Sequence, residues 1–452
     1  MKKHRLIPTP LIEESAKREV REKFEQVLAA TYATEPGDLS NVVRAMFDKR
    51  ERLLATAQRH GTACYVLDEQ ELATSLTAFS DAFMRTIPNL TAYFAVKVND
   101  HPDILRAVVR HGYGLDVSSE REFDRALDAR AKRIICTGPA KSDGFLERAL
   151  AHSDRTIVNL DSLRELTRLG MLAERRKIPI HAGMRVVSNA TRSWNKFGIP
   201  IPDIRRAWDM AKTYPHLTLC GIHTHMSWNK DATPYEDTMH ELAAELAHSF
   251  TAEERATIQF YDFGGGFVPD RVEGEYPSYP PQGTMIKAIY EHFDEKPPFR
   301  IRHYAFRSSS HTEYARGIAR SLKQHITPLL PNAHFITEPG RMLVNNAMHV
   351  LLRIVDIKEN GVVIVDGGMN IIGWERFDLE YFPVLNLTHP SRTEREVTIY
   401  GSLCMMQDVW GYYCYASKME VGDILVVPYQ GALTYSLSQD FIHGKPRVVR
   451  MR

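Results

Sequence analysis

From residue 62 onward the chain repeats one pattern. A short apolar run is followed by an amphipathic stretch with helical spacing, and the pair recurs. The runs lie at 92–97, 114–117, 133–136, 156–160, 181–187, 219–225, 258–263 and 334–338. Strand-like runs alternating with helices predict repeated βα units and a parallel sheet. Eight such units over about 250 residues predict a closed (β/α)8 barrel of the TIM type; an open doubly wound sheet is the alternative. The interval 270–312 is long and holds Tyr276, Pro277, Tyr279, Pro280, Pro281 and Gly283, then Pro297 and Pro298. It predicts an insertion at the barrel rim. Beyond residue 342 the texture changes. Runs at 350–357, 362–365, 398–400 and 424–428 lack long helices between them, which predicts a C-terminal β domain over 343–452, joined by an early strand at 64–68. Residues 1–60 are charge-rich and predict helices at 11–32 and about 39–60, parted by Pro36-Gly37. Asp38 or Ser40 is placed to cap the second. This helical N-terminal extension is expected to dock or to face a dimer partner; the barrel is expected to span 61–342.

Composition narrows the function classes. Of 452 residues, 44% are hydrophobic and 25% charged, ordinary for a globular chain and incompatible with global disorder. Lysine and arginine number 57 against 56 acids, a net charge of +1, so no bulk pull toward nucleic acid or an anionic membrane is expected. Cys64, Cys136, Cys220, Cys404 and Cys414 are far apart and form no Cys-x-x-Cys pair, which argues against a zinc ribbon or a disulfide framework. The basic start MKKHRLIPTPLIEES lacks an apolar signal core, and no run approaches the ~18 apolar residues of a membrane span. A cytoplasmic setting is the expectation.

Barrel ligands bind at the C-terminal ends of the strands. Lys97 closes the first run, where partial desolvation would favour a neutral, nucleophilic amine able to form a Schiff base; a plain surface lysine is the alternative. Gly264-Gly265-Gly266 follow the seventh run, and Glu338-Pro339-Gly340-Arg341 close the eighth. Glycine loops let backbone N–H groups approach an anion, and barrels frequently bind phosphate after strands seven and eight. His225 ends the sixth run, where an imidazole could stack on a flat cofactor. His223 and His225 share a strand face, yet no third ligand accompanies them in the sequence, so no metal is expected.

Together these residues resemble the fold-type III pyridoxal-phosphate (PLP) decarboxylases, the ornithine, diaminopimelate and biosynthetic arginine decarboxylases. The likeness runs in order through Tyr93-Phe94-Ala95-Val96-Lys97-Val98-Asn99-Asp100, Gly114-Leu115-Asp116-Val117-Ser118-Ser119-Glu120-Arg121-Glu122 and Asn195-Lys196-Phe197-Gly198. It continues through Gly221-Ile222-His223-Thr224-His225, Gly264-Gly265-Gly266-Phe267 and Glu338-Pro339-Gly340-Arg341. Farther on it takes in Asp366-Gly367-Gly368-Met369-Asn370, Gly401-Ser402-Leu403-Cys404 with Asp408, and Gly431-Ala432. The resemblance implies an alanine-racemase-like barrel followed by a β domain, with PLP as cofactor. It implies that Lys97 holds PLP, Glu338 contacts the pyridine nitrogen and His225 stacks on the ring. Gly265, Gly266, Gly340 and Arg341 would cradle the phosphate, while Asp116, Glu122 and Arg185 line the cofactor side. Cys404 matches the cysteine that a partner subunit inserts as proton donor, which implies a homodimer with composite sites.

Several positions depart from the family pattern. Members acting on free diamino acids carry an acid after the cysteine; here stands Met405. Diaminopimelate decarboxylases carry an arginine soon after the Asp-x-Gly-Met-Asn string; here the stretch is Ile371-Ile372-Gly373-Trp374, with Arg376 nearby. Trp374, Trp410, Tyr412 and Tyr413 suggest a bulky aromatic pocket, or β-domain packing. The usual phosphate tyrosine is displaced to Tyr435, and the usual Gly-Ser after the histidine string becomes Ser227-Trp228, with Ser227 a possible replacement hydroxyl. The missing charge handles point to α-decarboxylation of an L-amino-acid conjugate, as in siderophore-type pathways. The alternative is a free diamino acid: ornithine, lysine, arginine or diaminopimelate, with Asp366 or Asp408 holding the tail. An amino-acid racemase of this barrel would set an arginine against the ring nitrogen, against which Glu338 speaks. A non-catalytic binding homologue would be expected to lose the PLP residues.

Overall fold

The computed structural model describes residues 18–19, 22–23, 39–188, 196–269, 271–275, 281–292, 304–306, 308–373 and 380–451. All eight expected barrel runs contain strands: β1 (Leu90–Ala95), β2 (Gly114–Val117), β3 (Ile134–Cys136), β4 (Thr156–Leu160), β5 (Ile180–Val187), β6 (Leu217–Thr224), β7 (Phe260–Asp262) and β8 (His334–Thr337). Neighbours pair in parallel, β4 pairs with β5, and β8 returns to β1, so the sheet closes on itself. Ile199–Pro200 adds a short strand against β5. The strands read as unbroken apolar runs because both faces are covered, by helices outside and packed side chains within. After β2, β3 and β4 the chain turns into helices through Ser119, Ser142 and Ser162, each of whose hydroxyls accepts an amide N–H of the first helical turn. These turns set where each strand stops and so what reaches the barrel mouth. One clamp among them is ionic. Lys141 Nζ, fully buried, donates to Gly138 O (2.9 Å), Asn159 O (2.7 Å) and Glu165 Oε1 (2.6 Å), tying the loop after β3 to the end of β4.

Eight further strands form a second sheet. Its members include β9 (Met348–Ile357), β10 (Val363–Val365), β11 (Pro390–Tyr400), β12 (Val409–Ala416) and β13 (Ile424–Val427). Cys64–Leu67 joins them, antiparallel to β9 and parallel to Val448–Arg450. The helices Ser40–Asp48 and Arg50–His60 lay Val43, Met46 and Leu53 on Leu351, Leu385 and Val426 of this sheet. Ser40 is not the cap, because it is already helical and Leu39 takes the cap position without a side-chain bond of its own; Asp38 lies outside the described residues. Leu39 is buried in the same apolar cluster, so packing sets where the helix begins. The expected single helix over 39–60 breaks at Lys49, whose ammonium lies 2.9 Å from Asp68 and 3.2 Å from Glu71. Of the expected helix 11–32, only Arg18, Glu19, Glu22 and Lys23 are described, and they are helical. Within 270–312, Arg271–Glu275 pairs with Tyr304–Phe306 and also with Glu380–Tyr381, so this segment is hydrogen-bonded to the C-terminal part of the chain. Among the described residues no helix is long and apolar enough to cross a membrane.

His349, on β9, is wholly buried; its Nδ1 accepts the Tyr429 N–H at 3.2 Å and its Nε2 has no partner among the described residues. Burial pushes the imidazole down to about 3, so the folded chain keeps it neutral while the unfolded chain protonates it near 6.5. Its stabilising contribution is therefore complete above about pH 6.5 and is lost as pH falls toward about 3. Urea unfolding at pH 7 and pH 5 is expected to show a loss of stability that shrinks by about 2 kcal/mol in His349→Gln.

Candidate active site

Glu338 follows β8 directly and is only 2% exposed. Its Oε2 lies 3.0 Å from His225 Nδ1 and 3.5 Å from His223 Nε2. The two histidines sit two apart at the end of β6 and share a face, which brings both imidazoles to one oxygen. Glu338 therefore supplies the third ligand-type group that the sequence did not reveal beside the pair, and the reasoning that no third group accompanies them is corrected. Burial by itself raises the Glu338 carboxyl, but attraction and hydrogen bonding from His223 and His225 outweigh it and hold the group well below the usual carboxylate range. The neighbours go the other way. Burial, then the charge of Glu338, pushes Asp116 and Asp262 well above that range. Burial also lowers both imidazoles, His225 to about 4, against the pull of Glu338. One carboxylate thus keeps its charge, and two others keep their protons. Glu338 Oε1 is buried and accepts no N–H among the described residues, while Oε2 serves the imidazoles and Asp262 also hydrogen-bonds the Glu338 carboxylate.

The glycine loop lies against this carboxylate. Gly264 O accepts the Glu338 N–H at 2.8 Å. A Cβ on Gly265 would stand 2.0 Å from Glu338 O, and one on Gly266 (φ +90°) would stand 2.0 Å from Met226 O. Only glycine lets the loop after β7 seat against both neighbouring loops. Gly340 packs on Val98 and Ala95, and Arg341 opens the short helix Arg341–Val344. The Arg341 guanidinium lies 3.6 Å over the ring of Trp228. Ser227 is half-buried beside it in the chain.

On the neighbouring strand, which pairs with β8, Lys97 stands in the 3-10 turn Val96–Val98, two residues past β1. Its side chain is exposed, so the expected partial desolvation is corrected: the strand ends before Lys97 and the turn lifts it out of the apolar barrel. Its charge acts on Asp116, Glu122 and His225. Asp116 takes the Thr137 hydroxyl on Oδ1, while its buried Oδ2 has no partner among the described residues. Glu122 Oε2 accepts the Ser118 N–H at 2.7 Å; burial raises its carboxyl, opposed by that bond and by Lys97. Arg185, 7% exposed, lies 3.6 Å from Asp161 and 4.2 Å over the Phe197 ring.

Other expected residues are held by contacts of their own. Tyr435 lies on the helical turn Thr434–Leu437 rather than on a strand, so the register argument for it fails; its ring meets Tyr65, His101 and the Lys445 ammonium. Asp366 gives Oδ2 to the Thr62 hydroxyl (2.6 Å) and Oδ1 to the Arg353 N–H (2.8 Å). Asp408 gives its two oxygens to the amides of Met369 and Leu403, both at 2.7 Å. Backbone N–H groups and the Thr62 hydroxyl thus engage both carboxylates, which shape loops of the β domain. Trp410 belongs to the β-domain core, with Nε1 donating to Gly367 O at 2.7 Å; strand β12 buries it. Cys404 is exposed and Met405 half-buried on the loop that Asp408 shapes. Trp374 lies outside the described residues. Sequence reasoning missed Asp262 and the Trp228–Arg341 stack. A lone acid ending the apolar run Phe260–Asp262 was the signal for the first.

A buried acceptor that takes no N–H among the described residues fits a protonated ring nitrogen, and the glycine cradle fits a phosphate approached by backbone. A closed parallel barrel carrying this mouth, followed by a β domain, defines an alanine-racemase-like PLP enzyme. Residues 69–345 match the pyridoxal-binding domain of the pyridoxal-dependent decarboxylases, and the chain belongs to that family. It is a PLP-dependent carboxy-lyase. Over 421 residues it is 26% identical to the diaminopimelate decarboxylase of Methanocaldococcus jannaschii, covering 87% of each chain. Over 408 residues it is 28% identical to that of Haemophilus influenzae, covering 85% of this chain and 86% of the other. The solved M. jannaschii enzyme in complex with L-lysine superposes with a TM-score of 0.72 at 22% identity, over 88% of this chain and 89% of that one. The lysine/ornithine decarboxylase of Vibrio vulnificus, complexed with putrescine, gives 0.70 at 18% identity, over 90% and 98%.

Gly265→Ala is expected to destabilise the chain by about 1–3 kcal/mol, because the added methyl meets backbone. Urea unfolding measures this. An unchanged midpoint would mean that the loop does not seat against Glu338.

Proposed function

We propose that the chain removes the α-carboxylate of a free diamino acid, with diaminopimelate, lysine, ornithine and arginine as the class to test. Support comes from relatives named diaminopimelate decarboxylase that align over 85% or more of the chain, and from solved relatives that hold L-lysine or putrescine. When bound, PLP supplies the electron sink for the pair left behind as CO2 departs. Lys97 Nζ would be the amine that holds the cofactor, and His225 would lie against its ring. Gly265, Gly266, Gly340, Arg341 and the Ser227 hydroxyl would hold the phosphate. Asp116, Glu122 and Arg185 would line the cofactor side.

The observation that carries this reading is Glu338 Oε1, a buried acceptor that takes no N–H among the described residues, on a carboxyl held well below the usual range. Such a group keeps a ring nitrogen protonated, which strengthens the electron sink that decarboxylation needs and sets this site apart from a racemase. Cys404, exposed on the β domain, is assigned to the site of a second subunit, where its thiol returns a proton to the α-carbon. The active form is then a homodimer with two composite sites. Met405 supports a second substrate reading. A half-buried thioether next to the proton donor cannot pair with a distal ammonium, which suits a conjugated or uncharged tail.

Purified enzyme is expected to show a violet-region absorbance band that borohydride abolishes, leaving the label on Lys97; Lys97→Ala should lose both the band and CO2 release. CO2 from a free diamino acid supports the first substrate reading. Release only from conjugated or uncharged-tail amino acids replaces it with the second. Cys404→Ala should keep the band and slow turnover by roughly 10²-fold or more. Mixing Lys97→Ala with Cys404→Ala chains should restore turnover that neither parent has; no restoration would rule out composite sites.

A further inference from the structure

We infer that Trp228 is a positioning residue for the cofactor's phosphate, acting through Arg341; this rests on the proposed assignment of Arg341 to that phosphate. Three observations carry it. The guanidinium carbon of Arg341 lies 3.6 Å from the centroid of the Trp228 ring, within cation–π range. Trp228 adopts φ +62°, a left-handed conformation that a bulky side chain takes only when its surroundings impose it. Those surroundings are the glycine loop itself. Asn229 N–H donates to Gly266 O at 3.0 Å, Val268 N–H donates back to Asn229 O at 3.3 Å, and the Tyr314 hydroxyl also donates to Asn229 O.

The turn after β6 is therefore bolted to the loop after β7, and the left-handed residue within it carries the indole to the arginine after β8. Three loops converge on one anion position, and Trp228 is the link between the first and the third. Stacking uses the flat face of a guanidinium and consumes none of its edge N–H donors, the groups that grip a phosphate. The indole thus fixes the plane of Arg341 without competing for its bonds. At 48% exposure the ring is too open to be a core residue, so burial does not account for its strained backbone.

The test uses the full chain freed of PLP, with pyridoxine 5′-phosphate and pyridoxine as probes. Neither carries an aldehyde, so neither bonds Lys97, and their affinity ratio isolates the phosphate contribution. Trp228→Ala is expected to reduce that ratio roughly 3- to 30-fold, the range of a cation–π contact. Pyridoxine binding should not change, and Trp228→Phe should recover most of the preference. Trp228→Asn, which accepts a left-handed backbone, removes the ring without disturbing the turn and should match the alanine variant. A full ratio in both Trp228→Ala and Trp228→Asn, with a reduced ratio in Arg341→Gln, would overturn the inference and leave Arg341 on the phosphate. A full ratio in Arg341→Gln would overturn the assignment of Arg341 and the inference together. Equal losses for both probes would reduce Trp228 to a merely structural part and would also overturn it.

Discussion

A single buried negative charge, held on Glu338 at the end of β8, is the constraint around which the barrel mouth is arranged. An unpaired carboxylate in a protein interior costs several kcal/mol, and this one is 2% exposed. It is tolerable because two imidazoles from the end of β6 converge on one of its oxygens. It also requires that nearby acids give up their own charge, as burial and repulsion make Asp116 and Asp262 do. Depth matters as much as pairing. Gly265 lets the loop after β7 close on the Glu338 carbonyl, so the carboxylate cannot rise toward solvent without breaking that seat. The oxygen that takes no N–H among the described residues is then an acceptor of fixed position, which is what a cofactor ring with a nitrogen proton requires.

The chain divides the work between its barrel and its β domain. The barrel supplies the charged centre, the glycine loop and the lysine, each from the carboxyl end of a strand. The β domain supplies a loop whose shape depends on backbone hydrogen bonding. Asp408 takes the amides of Leu403 and Met369, and so presents Cys404 and Met405 outward. The same acid that the sequence offers for substrate chemistry thus holds the loop that carries the thiol.

What was legible in the sequence follows from how local each signal is. Barrel strands buried on both faces leave unbroken apolar runs, so all eight were visible with ends within a few residues. Glu338, His225 and the glycine loop were visible because polar or glycine residues at the ends of such runs are conspicuous. Strand Val409–Ala416 was missed: its Trp410, Tyr412 and Tyr413 fit a pocket as readily as a strand, and only pairing with Pro390–Tyr400 decides. Tyr435 was misplaced because a strand was assumed where the chain makes a helical turn after Leu433, at φ +65°. The Trp228–Arg341 stack joins residues over a hundred positions apart, and no pattern along the chain encodes such a contact.

Strand Cys64–Leu67 has a consequence for how the molecule comes into being. It lies near the front of the chain, yet its parallel partner is Val448–Arg450, with Tyr65 opposite Val448. On a ribosome this strand emerges early and must wait for almost the whole chain before its last neighbour exists. Until then it presents an unsatisfied backbone edge, the kind of surface on which nascent chains aggregate. The two α-helices that precede it are made before it and bury the same sheet, so they can shield one face of the strand during that wait. Because the pairing brings the start and end of the folded body side by side, joining them and opening the chain at a surface turn elsewhere would leave the architecture intact while changing the order in which it is made.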